Sequence, residues 1–273
     1  MGNMNDTSKE ENNFNPIINQ NIIDLVSQNY VYAAVLHYFG IDFYNHTHQT
    51  LAQTCAEKGI DATILIKQLE GVVSKKRNSN STDSKKSIQD IAHYPVELVI
   101  DYLKHSHRVF MRRSLPYMSK LVVDCKCHEL DCHYKSIIED LKIAFPLFAE
   151  DFIHHIFEEE DSLFDYISLL DTAFYGKIPF TKVFYPMKEH SISRFLRQHQ
   201  QDDDEMKGIR ELTSNYKITQ KTPLLIQVLY SELKDFEEEL KIHADIENRI
   251  LLPKALKLES KLKQTIIEKS KFN

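Results

Sequence analysis

Two stretches of the chain share an unusual pattern, in which an imidazole and a carboxylate lie four residues apart. The pairs are His155 with Glu159 and His243 with Glu247, and two apolar residues follow each pair after a short gap. In an α-helix a spacing of four places two side chains on the same face. Each pair therefore presents one imidazole and one carboxylate to the same point in space. This donor set, which lacks thiolate, suits iron or manganese better than a structural zinc site.

Both pairs continue the apolar face of the helix that carries them. Phe148 and Phe152 lead at helical spacing to His155, and a longer stripe leads in the same register to His243. The residues of that longer stripe are Leu229, Leu233, Phe236 and Leu240. Ionisable groups thus occupy positions that face a core, where a carboxylate is unfavourable unless it is paired or bound to metal. Two such helices facing each other predict half of a dinuclear metal site inside a helical bundle.

Each part of this pattern has a simpler interpretation when it is taken alone. A single imidazole–carboxylate pair is often a hydrogen bond on a helix surface, and the acidic run 158–161 could be a solvated face. A lone histidine on an apolar face is more often a satisfied core residue than a ligand. The repetition of the whole pattern on two helices favours the metal site. A purely structural bundle that binds no metal is the remaining alternative.

A dinuclear site in a bundle also needs ligands from the other helices. His190, preceded by Glu189, is the candidate on the predicted third helix. The first helix offers His105 and His107, which lie about 200° apart on the helical wheel, so only one of them can face inward. The sequence alone leaves open which of the two it is.

A cluster of thiols and imidazoles is a second set of candidate ligands. Its members are Cys125, Cys127, His128, Cys132 and His133. Their spacing differs from the Cys-x-x-Cys pattern of a zinc ribbon, so the simplest interpretation is a loop between the first two long helices. His128 becomes a further iron ligand only if that loop folds back over the site, because a continued helix would carry it about 30 Å away from His107.

The composition argues against several classes of protein. The 273 residues carry a formal net charge of −6 with scattered basic residues, which does not favour nucleic acid as a partner. The polar N-terminus lacks the apolar segment of a secretory signal, and no apolar run approaches the length of a membrane helix. Four cysteines in such a chain predict reduced thiols and a cytoplasmic protein.

Helical periodicity without period-two alternation predicts an all-α fold. The predicted parts are a polar tail (1–18), a small helical N-terminal domain (19–73), a linker rich in Lys, Ser and Asn (74–87) and a four-helix bundle (88–268). Within the small domain the apolar pattern predicts one helix over 22–39. Within the bundle, Pro146 predicts a kink or a restart, and a helix is expected to begin near Pro186.

The bundle resembles the hemerythrin-like domain, and the chain from about residue 20 to 260 resembles the repair-of-iron-centres family of di-iron proteins. In that family a small helical domain precedes such a bundle. The stretches that carry the resemblance are His107-Arg108 with Leu115-Pro116-Tyr117, His155-x-x-x-Glu159 with Leu163-Phe164, Glu189-His190, His243-x-x-x-Glu247 with Leu252-Pro253, and, near the N-terminus, 35–43 and Gln49-Thr50-Leu51. The resemblance implies two non-haem irons bridged by Glu159 and Glu247, with His107, His155, His190 and His243 as terminal ligands.

The resemblance also implies a function. It is the repair or protection of iron–sulfur clusters damaged by nitrosative or oxidative stress, by iron donation or by NO binding at the di-iron site. The partners would be damaged iron–sulfur proteins, with neither nucleic acid nor membrane involved. A homodimer is also compatible with the sequence. Such a protein binds and donates iron, and no catalytic residues are assigned. A hemerythrin-like protein that binds or senses O2 or NO is the alternative.

The chain departs from the family at one place. The family's N-terminal domain commonly carries Cys-Cys-Gly-Gly after an Asp-aromatic pair, whereas residues 44–47 here read Tyr-Asn-His-Thr. The sequence therefore predicts no dithiol chemistry in this domain. The domain is expected to serve for docking, through the helix 22–39 and the loop that holds His46 and His48.

Overall fold

The structure is a computed structural model, and it describes residues 16–78, 90–126, 131–189, 191–199 and 204–270. The regular elements within these ranges are helical, as the sequence predicts, and no strand occurs among them. None of the helices in these ranges is both long and apolar enough to cross a membrane. The chain divides between Asn78 and Ser79 into two compact units.

The described part of the first unit, residues 16–78, contains four α-helices and two short 3-10 turns. They are the turn Pro16–Asn19, α1 (Ile22–Gln28), α2 (Val31–Tyr38), the turn Phe43–Asn45, α3 (Leu51–Lys58) and α4 (Ala62–Asn78). Its centre is formed by fully buried side chains from the four helices and the second turn, among them Leu25, Leu36, Phe43, Leu51 and Leu65. Residues 1–15, most of the predicted polar tail, lie outside the described ranges.

Two details of the first unit differ from the sequence prediction. The prediction of a single helix over 22–39 is wrong, because the chain is extended at Asn29, between α1 and α2. The Asn29 side chain accepts a hydrogen bond from the Val31 N–H (3.2 Å). Asparagine offers the backbone such local alternatives to helix. The helix α4 also continues through Asn78, into the predicted linker, because lysine and arginine are good helix formers and their polarity does not end a helix. The rest of that linker, 79–87, lies outside the described residues.

The second unit is organised around three long helices, each made of two α-helices joined by a π-helical segment. In chain order its elements are α5 (Val96–Val109), π (Phe110–Ser114), α6 (Leu115–Asp124), α7 (Cys132–Glu158), π (Glu159–Phe164), α8 (Asp165–Phe174), α9 (Thr181–Glu189), α10 (Ile192–His199), α11 (Lys207–Leu212), α12 (Leu224–Ile246), π (Glu247–Leu251) and α13 (Leu252–Ser270). The first, second and third long helices thus cover 96–124, 132–174 and 224–270.

The three long helices pack side by side. Helix α5 contacts α8 while α6 contacts α7, so the first and second long helices run antiparallel. Helix α12 contacts α6 and the third π segment contacts α5, so the third long helix is also antiparallel to the first. Apolar side chains from all three meet in one core, which includes Leu103, Phe164, Leu170 and Leu251. This packing brings the middles of the three helices, and their π segments, to one level.

Neither Pro146 nor Pro186 begins a helix, in contrast to what the sequence suggested. Pro146 lies inside α7, which runs without a restart, and Pro186 lies inside α9, which begins at Thr181. Pro146 is on an exposed side of its helix, where water can replace the missing N–H donor. In place of one long helix, the region of Pro186 forms α9 and α10.

Candidate metal centre

Each long helix changes from α- to π-helical hydrogen bonding beside a candidate ligand. Glu159 and Glu247 are the first residues of the second and third π segments, and His107 lies shortly before the first. A π segment is in effect one extra residue inserted into a helix, and such segments are frequent at functional sites. The altered register lets both residues of each following apolar pair reach the core: Leu163, Phe164, Leu251 and Leu252 are all buried.

Three ionisable side chains from the three long helices meet in the interior. They are His107, Glu159 and His243, and each is less than a tenth exposed. The His107 Nε2 lies 3.1 Å from the His243 Nε2 and 3.2 Å from the Glu159 Oε2. The distance from the His243 Nε2 to the same oxygen is 4.0 Å. We call these three side chains the inner group. Their ligand atoms lie close enough together to hold a metal ion.

The distances within the inner group fit a coordination sphere. For a metal–nitrogen bond of about 2.1 Å, two donors at right angles lie about 3 Å apart. The Nε2–Nε2 and Nε2–Oε2 distances at His107 match this spacing. Aromatic rings fix the imidazoles: Phe164 stacks on His107 (5.7 Å between centroids, 8° between planes), and Phe110 meets His243 edge to face.

The second nitrogen of His107 is held by another carboxylate. The His107 Nδ1 lies 2.8 Å from the Glu160 Oε1, and Glu160 is partly buried. A metal-binding histidine usually donates its other N–H to a carboxylate or carbonyl, which fixes the tautomer and raises its basicity as a ligand. The contact with Glu160 therefore directs the Nε2 lone pair of His107 toward the inner group.

The two oxygens of Glu159 face different imidazoles. The Oε2 faces the inner group, whereas the Oε1 lies 3.0 Å from the His155 Nε2. The His155 Nε2 is also 3.5 Å from the Glu205 Oε1, and both side chains are about a third exposed (33% and 32%). We call His155, the Glu159 Oε1 and Glu205 the outer group. The two oxygens of Glu159 thus belong to two different groups of donors.

Glu247 completes a buried pair of carboxylates. Burial raises its pKa well above the usual range, and the negative charge of Glu159, to which it is hydrogen-bonded, raises it further. Burial alone would also raise the pKa of Glu159, but its hydrogen bonds to His107 and His155 and the nearby His243 lower that pKa below its ordinary value. Two carboxylates placed so close in the interior repel each other, and cations between them relieve this repulsion.

A cavity of about 130 Å³ reaches both groups. The described residues that line it include five carboxylates, three imidazoles and one lysine. The carboxylates are Glu159, Asp204, Glu205, Glu237 and Glu247. This excess of oxygen and nitrogen donors with negative charge suits hard or borderline cations such as iron and manganese.

Five of the six residues predicted as metal ligands lie around this cavity: His107, His155, Glu159, His243 and Glu247. The sixth, His190, lies outside the described residues, as do Cys127 and His128. The open choice on the first helix is resolved, because His107 is buried (1% exposed) and His105 is exposed. In the thiol cluster Cys125 is buried, while Cys132 is exposed at the start of α7.

Two further carboxylates at the centre were missed from the sequence. Glu160 belongs to the run interpreted as a solvated acidic face, and Glu205 is the last residue of a second acidic run, 202–205. Each lies in a run of consecutive acidic residues, so its spacing from other residues does not mark it as a candidate ligand. Their contacts are with residues distant in the chain, so only the tertiary structure identifies them.

No model of a known protein family matches the chain, and a search of curated proteins gives no match either. The resemblance to the repair-of-iron-centres family therefore depends on the short stretches named above. The argument for a metal site depends on the geometry of the cavity.

Proposed function

We propose that the second unit is a hemerythrin-like bundle with two non-haem irons, and that the protein repairs or protects iron–sulfur clusters damaged by nitrosative or oxidative stress. In this proposal the inner group holds one iron and the outer group holds the other. Glu159 and Glu247 would bridge the two ions, and the resemblance adds His190, which lies outside the described residues, as a further terminal ligand. The protein donates iron to damaged clusters or binds NO at the site.

The observation that supports this most directly is the division of Glu159 between the His107 side and the His155 side. A single metal ion needs one set of donors, whereas two sets that share a carboxylate are the arrangement of a dinuclear carboxylate site. The buried Glu247 beside Glu159 supplies the second carboxylate that such a site requires.

The protein's own residues account for an iron that can be both held and released. The ligands are imidazoles and carboxylates, which exchange by simple substitution and need no change of oxidation state. The inner imidazoles of His107 and His243 are buried, whereas His155, which lines the same cavity, is partly exposed. Iron is thus the cargo of the reaction, and a damaged cluster is its acceptor.

A hemerythrin-like carrier or sensor of O2 or NO is the second candidate, because the same donor set can serve it. The two functions differ in what leaves the protein. A repair protein loses iron to an acceptor, whereas a carrier keeps its iron and exchanges the gas.

The test uses the full chain, loaded with isotopically labelled ferrous iron without oxygen and mixed with an iron–sulfur enzyme whose cluster NO has damaged. We expect recovery of the enzyme's activity together with labelled iron in its cluster. Glu159→Ala and Glu247→Ala should each lose at least one iron and the repair activity, because a lost bridge leaves the repulsion of two cations poorly compensated.

Glu158→Ala is the matched control, since Glu158 is the exposed neighbour of Glu159 (68% exposed side chain) and contacts only the exposed His154 among the ion pairs of the described residues. It should keep two irons and full activity. Reversible uptake of O2 with no transfer of labelled iron would overturn repair in favour of the carrier. A Glu159→Ala or Glu247→Ala protein with two irons and unchanged helix content would show that this glutamate is not a bridge.

A further inference from the structure

A short segment of the second unit forms part of the lining of the cavity. It covers residues 204–216, includes α11, and is called the strap here. Its residues Asp204, Glu205 and Met206 line the cavity, and Met206 and Ile209 are buried (each 2% exposed). Helix α11 packs on α7, the helix that carries His155. The strap is therefore part of the wall of the cavity beside His155.

One buried carboxylate fastens the strap at two points. The Glu237 Oε1 accepts a hydrogen bond from the Arg210 Nη1 (2.7 Å), and the Glu237 Oε2 accepts one from the Tyr216 hydroxyl (2.7 Å). Arg210 in turn pairs with Asp204, beside Glu205. Glu237 lies on α12, the helix that carries His243, so the strap is tied to the element that supplies an inner ligand.

The end of the strap adopts a backbone conformation that is unfavourable for its residues. Ser214, Asn215 and Tyr216 all have positive φ angles (51°, 59° and 56°). Residues other than glycine rarely adopt this conformation, and it persists only where the surroundings hold it. The hydrogen bond from the Tyr216 hydroxyl to Glu237 stabilises this conformation, so the contact with Glu237 fixes the position of the strap.

The strap delivers Glu205 to the outer group. The Glu205 Oε1 and the Glu159 Oε1 both face the His155 Nε2, at 3.5 Å and 3.0 Å, from different elements. The outer group thus has one imidazole and two carboxylate oxygens converging from α7, its π segment and the strap. Among its members Glu159 is buried, whereas His155 and Glu205 are partly exposed.

We propose that Glu205 is a carboxylate ligand of the outer metal ion, and that the strap, anchored by Glu237, sets how fast that ion leaves. The inference rests on the proposed function in taking the outer ion as one of the two irons. Release is a ligand substitution: water or a donor of the acceptor replaces the Glu205 carboxylate, and no electron is transferred. The strap must move for this to happen, which requires the Arg210 and Tyr216 contacts with Glu237 to break.

The test measures release of ferrous iron from the loaded full chain to a strong ferrous chelator without oxygen. Two phases are expected, with the fast phase from the outer ion and the slow phase from the inner ion. Glu205→Gln should accelerate the fast phase about tenfold or more and leave the slow phase unchanged. Glu237→Gln should accelerate the fast phase as well, because the ligand is intact but its support is loosened.

Glu211→Gln and Glu238→Gln are the matched controls, because Glu211 is an exposed acid within the strap and Glu238 is the exposed neighbour of the anchor Glu237. Both should release iron at the wild-type rate. The slow phase and the helical circular dichroism serve as internal checks that each variant is folded. An unchanged fast phase in folded Glu205→Gln overturns the role of Glu205 as a ligand, and an unchanged fast phase in Glu237→Gln overturns the role of the strap.

These outcomes are distinct from failure of the proposed function. A chain that binds two irons with release dependent on Glu205 but restores no damaged cluster refutes repair and leaves the strap proposal standing. A chain that binds no iron refutes both.

Discussion

At the scale of single residues, the site depends on how buried side chains hold each other in place. His107 illustrates this, since the helical wheel allowed either His105 or His107 to face inward and the structure buries His107 alone. The Glu160 carboxylate then orients the imidazole. The repeated motifs in the sequence identified candidate ligands, but not this supporting contact, because Glu160 and His107 belong to different helices.

The role of Glu160 can be tested by removing its charge. We expect Glu160→Gln to weaken metal binding by about 10- to 100-fold, the usual effect of losing a carboxylate that orients a ligating histidine. Isothermal titration with Mn²⁺ measures the affinity. Asp161→Asn, an exposed neighbour, should bind as the wild type does. Equal affinities for the two variants would contradict the orienting role.

The pKa of His155 predicts a pH dependence for the metal-free protein. Its hydrogen bond to Glu159 raises the pKa to about 9, opposed by burial and aided by the charges of Glu159, Glu205 and Glu158. Because the folded-state pKa exceeds the unfolded value of about 6.5, His155 stabilises the fold fully below that pH, and the stabilisation is lost as the pH rises through about 9.

Urea unfolding at several pH values checks this. After allowance for the partial exposure of His155, the free energy of unfolding should fall by about 1 kcal/mol more in the wild type than in His155→Gln between pH 6 and pH 9.5. Parallel pH profiles for the two proteins would mean that the His155–Glu159 pair does not stabilise the fold.

At the scale of elements, the long helices follow from apolar periodicity, but their π segments do not. Two apolar residues lie four and five positions after each glutamate, and the sequence shows this repeat. The sequence does not show that a π segment is its cause. A regular α-helix brings positions three and four to one face, so a fifth position in the core requires the wider turn of a π segment. This register change is the part of the element structure that propensity arguments miss.

Deleting one residue from a π segment tests its importance. Because a π segment is one extra residue inserted into a helix, removal of Arg112 from Phe110–Ser114 should restore a plain α-helix and leave the following residues facing the core. The wider turn that places Phe110 against Phe152, Phe236 and His243 would close, so we expect a loss of stability in urea unfolding. Arg112→Ala, which removes only an exposed side chain, should unfold almost as the wild type does. A deletion as stable as that substitution would show that the π segment is dispensable.

At the scale of the whole molecule, the chain divides into two compact units, and the candidate metal centre lies in the second. The sequence predicted an all-α chain, and the structure bears this out. The break at Asn29 and the extension of α4 to Asn78 escaped prediction, because local side-chain contacts and helix propensity outweighed the apolar pattern there.

The first unit offers a separate test of thiol chemistry. Its single cysteine, Cys55, is buried, and burial raises the pKa of this thiol, which makes it a weak nucleophile. We expect Cys55→Ser to repair a damaged iron–sulfur protein as well as the wild type does. Any thiol dependence should appear in a triple serine variant at Cys125, Cys127 and Cys132. Loss of repair in Cys55→Ser alone would contradict the docking role predicted for the first unit.

The measurement that tests the account most directly is the iron content of the second unit. A fragment from residue 88 onward, loaded with ferrous iron without oxygen and freed of excess iron, is analysed for metal per chain beside the full protein. The account predicts about two irons per chain in both, and fewer after Glu159→Ala, because the inner and outer groups share Glu159. Iron that is bound only when residues 1–80 are present, or that is unaffected by Glu159→Ala, would contradict it.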